Sequence, residues 1–415
     1  MTIATLPSTL AVAAGLIVSA AAAEPPSPGE GQILFLREPA ARPTSALGPR
    51  AATVETIDLA TGTEHLIRRI HLTLHSWSPD GSRLAFVTGK KSALFVVDVG
   101  SGRARLLLRE ATSFAWSPDG QRLAAFGMLG GRRGLFVTNT SGKARRRLIM
   151  SAKSRRWIWA WSPDGKAIAY GFTIRRPDQD NENGVEGLAL VDATGKEPPR
   201  LIIAAETILT PEWSPDGSKV AYVRIDGKYT CCELHVVDRE GTHDQAVVGN
   251  QLKQALEPTW SPDGRLIAYC SCGQGGTGLH IIGVNGTGDR ALGVYVEDAA
   301  WSPDGALIVG TRGASSDVPE RAVVVVHTNG TGERTVATNG LGPFWSGTDQ
   351  RVIGYVGGPV WSRSGRTFVY VGADGFGVHL YRVAADGGDV TQLTFGKVSD
   401  TWPQWALGGN DRRPS

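Results

Sequence analysis

One five-residue string, Trp-Ser-Pro-Asp-Gly, occurs six times in this chain of 415 residues. Its successive tryptophans lie 39, 45, 52, 47 and 41 residues apart. Repeats of about 40–45 residues are typical of β-propellers, in which each repeat forms one four-stranded blade. The string therefore constrains the fold more than any other feature of the chain. Its copies begin at Trp77, Trp116, Trp161, Trp213, Trp260 and Trp301.

The string has the composition of a tight turn between two strands. Ser, Pro, Asp and Gly suit the four successive positions of a type I turn. Apolar and aromatic runs such as Arg83–Val87 and Lys219–Val223 follow the turns, and these residue types favour strands. A further run and a glycine turn, such as Asn285–Asp289, follow in each repeat. Each repeat is therefore predicted to be one antiparallel unit of four strands.

The same position of each turn holds an aspartate, and this equivalence decides how the aspartates are interpreted. A residue repeated in every unit serves the unit, so we interpret the tryptophans as packing residues between blades and the aspartates as turn residues. No catalytic role is assigned to either set. The turn aspartates are Asp80, Asp119, Asp164, Asp216, Asp263 and Asp304.

The two ends of the repeat region complement each other. Trp361 opens a degenerate copy with a complete unit behind it, whereas Trp405 stands in a lone strand. Residues 32–70 supply three strands without a tryptophan turn ahead of them. We predict that the strand around Trp405 pairs with the N-terminal blade and closes the ring, which removes exposed sheet edges. The expected fold is all-β, a propeller of eight four-stranded antiparallel blades. A hairpin-like segment around Trp345 leaves six or seven blades as alternatives.

The first 23 residues differ from the rest of the chain. The apolar stretch Leu10–Val18 precedes small residues at 20–23, which fits a signal peptide with Glu24 as the mature start. The stretch is too short to span a bilayer comfortably, so no membrane span is expected in the mature chain. The alternatives are a misplaced start codon and an uncleaved anchor. We expect an exported monomer (periplasmic, cell-envelope or extracellular) with a flexible leader at 24–30, one propeller domain at 31–407 and a disordered tail at 408–415.

Four cysteines lie in neighbouring repeats. An even, clustered set in an exported chain favours one or two disulfides between blades. Thiolates bound to zinc and free thiols remain alternatives, although the spacing is not the usual zinc pattern. The candidates are Cys231, Cys232, Cys270 and Cys272.

Positive charge is concentrated in one part of the chain. Residues 103–156 contain 13 Lys or Arg against Glu110 and Asp119, whereas the whole chain has a net charge of +3. One interpretation is a basic surface for an anionic partner such as an envelope polymer or lipid head groups; the other is that arginines protect outer strands from edge pairing. Because the chain is expected to be exported, nucleic acid is not an expected partner.

Residues with catalytic or metal-binding chemistry are few. The chain has no Gly-x-Ser-x-Gly, His-Glu-x-x-His or P-loop motif. We interpret His235, His280 and His379 as structural, because we align them with one repeat position that elsewhere holds Phe or Ala; a ligand role at a channel mouth is the alternative. The acidic loop with Asp178, Asp180 and Glu182 is a calcium candidate, and a solvated loop is its other interpretation. No other cofactor is expected.

The repeat resembles that of the TolB-type, WD40-like β-propellers. The resemblance rests on Trp-Ser-Pro-Asp-Gly, on strands such as Lys219–Val223 and Leu234–Asp238, and on the Asn-Gly-Thr-Gly turns, and it covers about residues 31–407. TolB binds partner proteins at its propeller, so the resemblance implies an exported, non-enzymatic scaffold for a protein or polymer. Similar propellers also occur in prolyl-oligopeptidase-type enzymes. The alternative is an enzyme at the channel mouth, such as a metal-assisted lyase or hydrolase acting on a carbohydrate or peptide.

Overall fold

The computed structural model describes most of the repeat region. Its described residues form thirty-two β-strands and no helix. They also contain no helix that is long and apolar enough to cross a membrane. The described ranges are 31–39, 50–72, 74–88, 92–143, 145–150, 158–174, 185–205, 207–225, 232–249, 255–273, 276–294, 296–312, 322–338, 359–374 and 376–405.

The strands follow one another in short units of similar length. The first half of the chain contains β1 Gln32–Pro39, β2 Arg50–Asp58, β3 Glu64–Leu72, β4 Leu74–Trp77, β5 Arg83–Thr88, β6 Ala93–Asp98, β7 Ala104–Leu108, β8 Ser113–Trp116, β9 Arg122–Leu129, β10 Arg132–Asn139, β11 Arg145–Met150, β12 Ile158–Trp161, β13 Ala167–Ile174, β14 Val185–Asp192, β15 Arg200–Ala205 and β16 Thr207–Trp213. The second half contains β17 Lys219–Ile225, β18 Cys232–Asp238, β19 Gln245–Val248, β20 Ala255–Trp260, β21 Leu266–Gly273, β22 Gly276–Gly283, β23 Arg290–Ala291, β24 Glu297–Trp301, β25 Leu307–Arg312, β26 Ala322–His327, β27 Arg334–Ala337, β28 Val360–Trp361, β29 Thr367–Ala373, β30 Val378–Ala384, β31 Thr391–Gln392 and β32 Val398–Trp405.

Six of the sheets contain four strands each, in chain order from β4–β7 to β24–β27. Consecutive strands within each sheet are antiparallel, and the first strand of each sheet ends at a motif tryptophan. The all-β class and the four-stranded antiparallel unit predicted from the repeat are therefore confirmed.

The remaining sheet joins strands from both ends of the chain. Its order is β28-β29-β30-β32-β1-β2-β3, with β31 beside β30. The last strand, β32, pairs antiparallel with β1, and Trp405 lies opposite Ile33. Its contact with β30 is one parallel pair, Val378 with Ser399. The strand that ends at Trp405 therefore has its pairing partner at the other end of the chain, in β1.

The turns that carry the motif share one pattern of hydrogen bonds. In the first copy, the Gly81 amide donates to the Ser78 carbonyl at 2.8 Å, and the Ser78 hydroxyl donates to Asp80 Oδ1 at 2.6 Å. The Ser82 amide donates to the same carboxylate oxygen at 3.1 Å. Gly81 has φ +67°, a conformation that disfavours any side chain. The motif therefore closes its turn with its own serine, aspartate and glycine.

The tryptophans connect successive sheets. We call the strands that end at Trp77, Trp116, Trp161, Trp213, Trp260, Trp301, Trp361 and Trp405 the Trp strands. Seven of these tryptophans donate an indole N–H hydrogen bond to the previous Trp strand. The acceptor is in each case the backbone carbonyl of the residue just before that strand's tryptophan, at 3.0–3.2 Å. Trp116, for example, donates to Ser76 O and packs on Val87 and Leu94 of the preceding sheet. The hydrophobic core consequently lies between neighbouring sheets.

Candidate functional site

The turn aspartates are engaged within their own turns. The Ser214 hydroxyl and the Ser218 amide donate to Asp216 Oδ1 at 2.6 and 3.0 Å and hold the pKa of Asp216 below its ordinary value. The Ser261 hydroxyl likewise lowers the pKa of Asp263. Carboxylates held ionised by local donors are suited to fixing a turn and poorly suited to accepting a proton at neutral pH.

Two adjacent sheets contain the same Tyr–His–Asp network. Tyr222 Oη donates to Asp244 Oδ1 at 2.8 Å, and His235 Nδ1 lies 3.2 Å from that oxygen. Tyr269 and His280 make the equivalent contacts with Asp289, at 2.8 and 3.2 Å.

Ring stacking and burial complete this network. The rings of Tyr222 and His235 stack with their centroids 5.3 Å apart. Burial opposes protonation of His235, but its hydrogen bonds with Asp244 and Glu233 raise its pKa. The equivalent stacked pairs elsewhere are Phe86 with Phe95 and Tyr370 with Tyr381. This position accepts histidine as a packing residue with an additional polar contact.

His379 does not occupy that repeat position, which corrects the alignment made from the sequence. Strand pairing sets His235 opposite Tyr222, whereas it sets Tyr381 opposite Tyr370 and His379 opposite Gly372. The alignment shifted the last repeat by two residues because it matched His379 to His235, whereas Leu380-Tyr381 is the pair that corresponds to Leu234-His235.

His379 instead lies where the last complete sheet unit meets β32. It is fully buried, with Nε2 at 3.5 Å from Asp374 Oδ2 and Nδ1 at 3.8 Å from Asp400 Oδ2. Neither nitrogen makes a hydrogen bond to a residue that the structure describes.

Asp400 also belongs to an ionic network centred on Arg37. Arg37 Nε donates to the fully buried Asp400 at 2.7 Å, and Nη1 reaches Glu55 at 2.9 Å and Glu64 at 2.5 Å. Although burial opposes its charge, hydrogen bonds to Glu64 and Asp400 raise the pKa of Arg37. This network connects β1, β2, β3 and β32, and the sequence analysis did not anticipate it.

One ionisable side chain stands out in the Trp strands themselves. The residue before each tryptophan is Ser76, Ala115, Ala160, Glu212, Thr259, Ala300, Val360 or Gln404. All eight are half-buried, and Glu212 is the charged member. Burial raises the pKa of Glu212 to about 8, and the Trp260 backbone amide offsets only part of this shift.

The raised pKa places the titration of the Glu212 carboxyl near pH 8. Glu212 has no ion-pair partner among the described residues. Such a group can donate a hydrogen bond when protonated or attract a cation when ionised. An alignment of the eight positions before the tryptophans would have identified it from the sequence. In another Trp strand, β4, burial lowers the pKa of His75 to about 3, so this side chain stays neutral.

The remaining candidate residues are only partly covered by the described ranges. Neither Cys232 nor Cys270 forms a disulfide, and Cys270 Sγ donates to Val296 O at 3.1 Å. Cys231 and the side chain of Cys272 lie outside the described residues.

The calcium candidates Asp178, Asp180 and Glu182 also lie outside the described residues, as does Trp345. Among the residues that the structure describes, no three His, Cys, Asp or Glu side chains are grouped to hold a metal ion. Disulfide pairing and calcium binding therefore stay predictions.

The basic part of the chain forms an exposed surface on two neighbouring sheets, β4–β7 and β8–β11. Eight of its side chains are exposed and form no hydrogen bond or ion pair with the residues that the structure describes. We call these eight the basic face: Arg103, Arg109, Arg132, Arg133, Lys143, Arg145, Arg146 and Arg147.

Comparison with known proteins identifies the repeat. The TolB β-propeller domain family matches residues 172–353, which confirms the resemblance expected from the motif. The curated Tol-Pal system protein TolB of Methylobacillus flagellatus is 37% identical over 57 residues, 14% of this chain and 13% of that protein. The match thus spans a small fraction of the length of this relative.

Two solved structures share the fold over most of the chain. An oligogalacturonate lyase in complex with manganese superposes with a TM-score of 0.57 at 16% identity, covering 86% of this chain and 98% of that one. A prolyl endopeptidase superposes with a TM-score of 0.57 at 15% identity, covering 79% of this chain and 50% of that one. At these identities, the likeness concerns the fold alone.

Proposed function

We propose that this TolB-type β-propeller is an exported, non-enzymatic scaffold that binds a protein or an anionic envelope polymer. The observation that carries the proposal is the basic face, whose side chains have no described ion-pair partner. A field of uncompensated charge attracts and orients a partner of opposite sign. The export component of the proposal rests on the signal-like residues 1–23.

Arginines on the outer strands of other sheets behave differently, which argues against a purely protective role for the basic face. Arg68 donates to Gly102 O and Arg200 to Glu240 O, each at 2.6 Å and each on the neighbouring sheet. Arg334 donates to Ala385 O at 2.9 Å. These arginines join sheets, whereas those of the basic face leave their donors available to a ligand.

A binding titration with defined polyanions tests the scaffold proposal. We expect fluorescent poly(glycerol phosphate) or poly-L-glutamate to bind the wild-type protein with an affinity that falls as salt increases, because the charges are exposed. Replacing Arg109, Arg145, Arg146 and Arg147 with Gln should weaken binding strongly. The matched control replaces four exposed basic residues of other sheets with Gln, namely Arg69, Lys166, Lys196 and Arg265. Equal affinities of the two variants would refute the anionic-polymer partner.

We also infer that the sheets form a closed ring of eight blades. Six blades are the four-stranded sheets, and the joined sheet supplies two more, β28–β31 and β32 with β1–β3. The support is the run of seven indole–carbonyl bonds that connects eight Trp strands in chain order, together with the β32–β1 pairing. Projection averages from electron microscopy would count the blades directly, and a number other than eight would refute the inference.

A channel-mouth enzyme is the second candidate. The observations that favour it are the likeness to oligogalacturonate lyase over 98% of that chain and the buried His379 between two carboxylates. Incubation with oligogalacturonate and Mn²⁺, followed through the ultraviolet absorbance of the unsaturated product, tests this activity. Turnover that is lost in His379→Ala but kept in His243→Ala, an exposed histidine, would replace the scaffold proposal.

A further inference from the structure

A groove lies between β7 and the sheet β8–β11. Strand β7 is the outer strand of the sheet β4–β7. The volume of the groove is about 280 Å³. The lining comes from residues 106–110, from the β9–β10 hairpin at 128–131, and from Arg145 at the start of β11. Two walls on different sheets therefore enclose the groove.

Glycines create both the close contact beneath the groove and its open end. A Cβ at Gly127 would lie 2.5 Å from the Glu110 carbonyl oxygen, so only glycine lets β9 approach the end of β7 so closely. Gly130 and Gly131 form the two-residue hairpin turn with φ +60° and +73°. Positive φ at both positions is the geometry that favours glycine in such turns. A Cβ at either position would meet no atom within 4 Å, so this end is unobstructed.

The groove combines an apolar floor with charged walls. Leu107 and Leu108 are buried beneath it, and the half-buried Met128 and Leu129 line its other side. Arg109 stands on one wall and Arg145 on the other, and both are exposed. Arg132 and Arg133 continue the positive charge beyond the hairpin turn. Glu110 is the acidic residue in the lining.

We propose that this groove binds a linear phosphate-bearing polymer, with its phosphates on the arginines and its uncharged backbone on the leucine and methionine floor. The inference rests on the proposed scaffold function and adds the location of the site and the chemistry of the ligand. Of the 13 basic residues between 103 and 156, only Lys143 and Lys153 are lysines. A planar guanidinium binds the oxygens of phosphate or carboxylate in pairs, and lysine does not.

The concave shape favours a polymer chain over a lipid bilayer. The half-buried Leu106 and Leu129 line the same groove as Arg109 and Arg145, which a flat bilayer surface cannot enter. A chain with alternating phosphates and uncharged units can instead contact both walls and the floor together.

Two double variants with the same change of charge separate the groove from the rest of the basic face. The groove variant is Arg109→Gln with Arg145→Gln, and the face variant is Arg146→Gln with Arg147→Gln. Arg146 lies outside the groove, against the next sheet, where a Cβ at Gly195 would be 3.2 Å from its Nε. Circular dichroism and melting temperature establish that both variants are folded.

We expect fluorescent poly(glycerol phosphate) to bind the groove variant about tenfold more weakly than the wild type, the effect of losing two exposed arginine–phosphate pairs. The face variant should change affinity by less than about threefold. Substituting Leu129→Ser should also weaken poly(glycerol phosphate) binding without changing the charge.

Four outcomes would overturn the groove proposal. Equal losses in the groove and face variants would locate binding on the basic face as a whole, and the scaffold proposal would stand without the groove. Tighter binding to poly-L-glutamate would assign a carboxylate polymer, and preferential binding to phosphatidylglycerol vesicles would assign a membrane surface. Absence of binding to all three probes would refute the anionic-polymer function as well.

Discussion

Glu212→Gln tests the assignment of Glu212 as a carboxyl that is buried without a cationic partner. The free carboxyl has an ordinary pKa of 4.5, which burial raises to about 8 in the folded chain. Well below pH 4.5, both folded and unfolded chains carry the proton, so ionisation costs no stability. As pH rises towards about 8, the unfolded chain ionises first, and the folded state progressively loses stability. Above about pH 8 the loss is constant.

The size of the effect follows from the two pKa values. Each pKa unit corresponds to about 1.36 kcal/mol, so the full difference corresponds to roughly 5 kcal/mol. Because the half-buried side chain retains some contact with water, we expect about 2–4 kcal/mol at about pH 9. Glutamine is neutral in both states and avoids this loss. Glu212→Gln should therefore be more stable than the wild type at high pH and equally stable near pH 4.5.

Guanidinium unfolding of both proteins between about pH 5 and 9 measures the difference in the free energy of unfolding. The matched control is Glu240→Gln, which removes the same charge from an exposed side chain and should give no pH-dependent gain. Parallel stability curves for wild type and Glu212→Gln would show that Glu212 is ionised and well solvated in the folded protein, and the burial argument would be refuted.

Three further perturbations test other parts of the structure. Trp405→Ala removes a buried indole and its bond to Val360 O and should cost about 3–5 kcal/mol of unfolding free energy; a loss below about 1 kcal/mol would contradict its role in joining the chain ends. Asp216→Ala removes the acceptor of the Ser214 and Ser218 donors and should cost about 1–2 kcal/mol at neutral pH. Since the pKa of Asp216 is lowered, this cost should disappear as pH falls below its ordinary value of 3.8, as urea unfolding would reveal. Chelator should leave the melting temperature unchanged, as expected for a solvated loop at residues 178–182, whereas a decrease reversed by Ca²⁺ would identify a calcium site.

The fold could be predicted from the sequence because each copy of the motif contains the residues that close its own turn. Each turn is closed by its own serine, aspartate and glycine, so Ser78–Gly81 specifies its conformation without distant residues. The position of Trp405 was also informative, since a lone first strand needs partners elsewhere in the chain. The register of the last repeat was predicted wrongly, although Leu380–Ala384 aligns with Leu94–Asp98 and that alignment sets Tyr381 opposite Tyr370, as observed.

The site residues were harder to predict because they depend on contacts between distant segments. Arg37 and Asp400 are 363 residues apart in the chain and meet only when β32 lies against β1. Glu212 can be recognised in the sequence as the charged residue among the eight that precede the tryptophans, but the burial that raises its pKa is seen only in the structure. The sequence showed the basic cluster as a count of charges. Only the structure shows that its arginines lack the hydrogen bonds that Arg68 and Arg200 donate to neighbouring sheets.

The pairing of β32 with β1 has a consequence for the order of synthesis. When β1 leaves the ribosome, its partner strand has not yet been made, so one edge of β1 stays exposed until residues 398–405 emerge. Bringing Arg37 to Asp400 across 363 residues costs roughly 5 kcal/mol of chain entropy. Until then, Arg37 places a charge on the open edge, a feature that discourages pairing with other chains. The same arginine that later binds Asp400 would thus protect the nascent protein from aggregation.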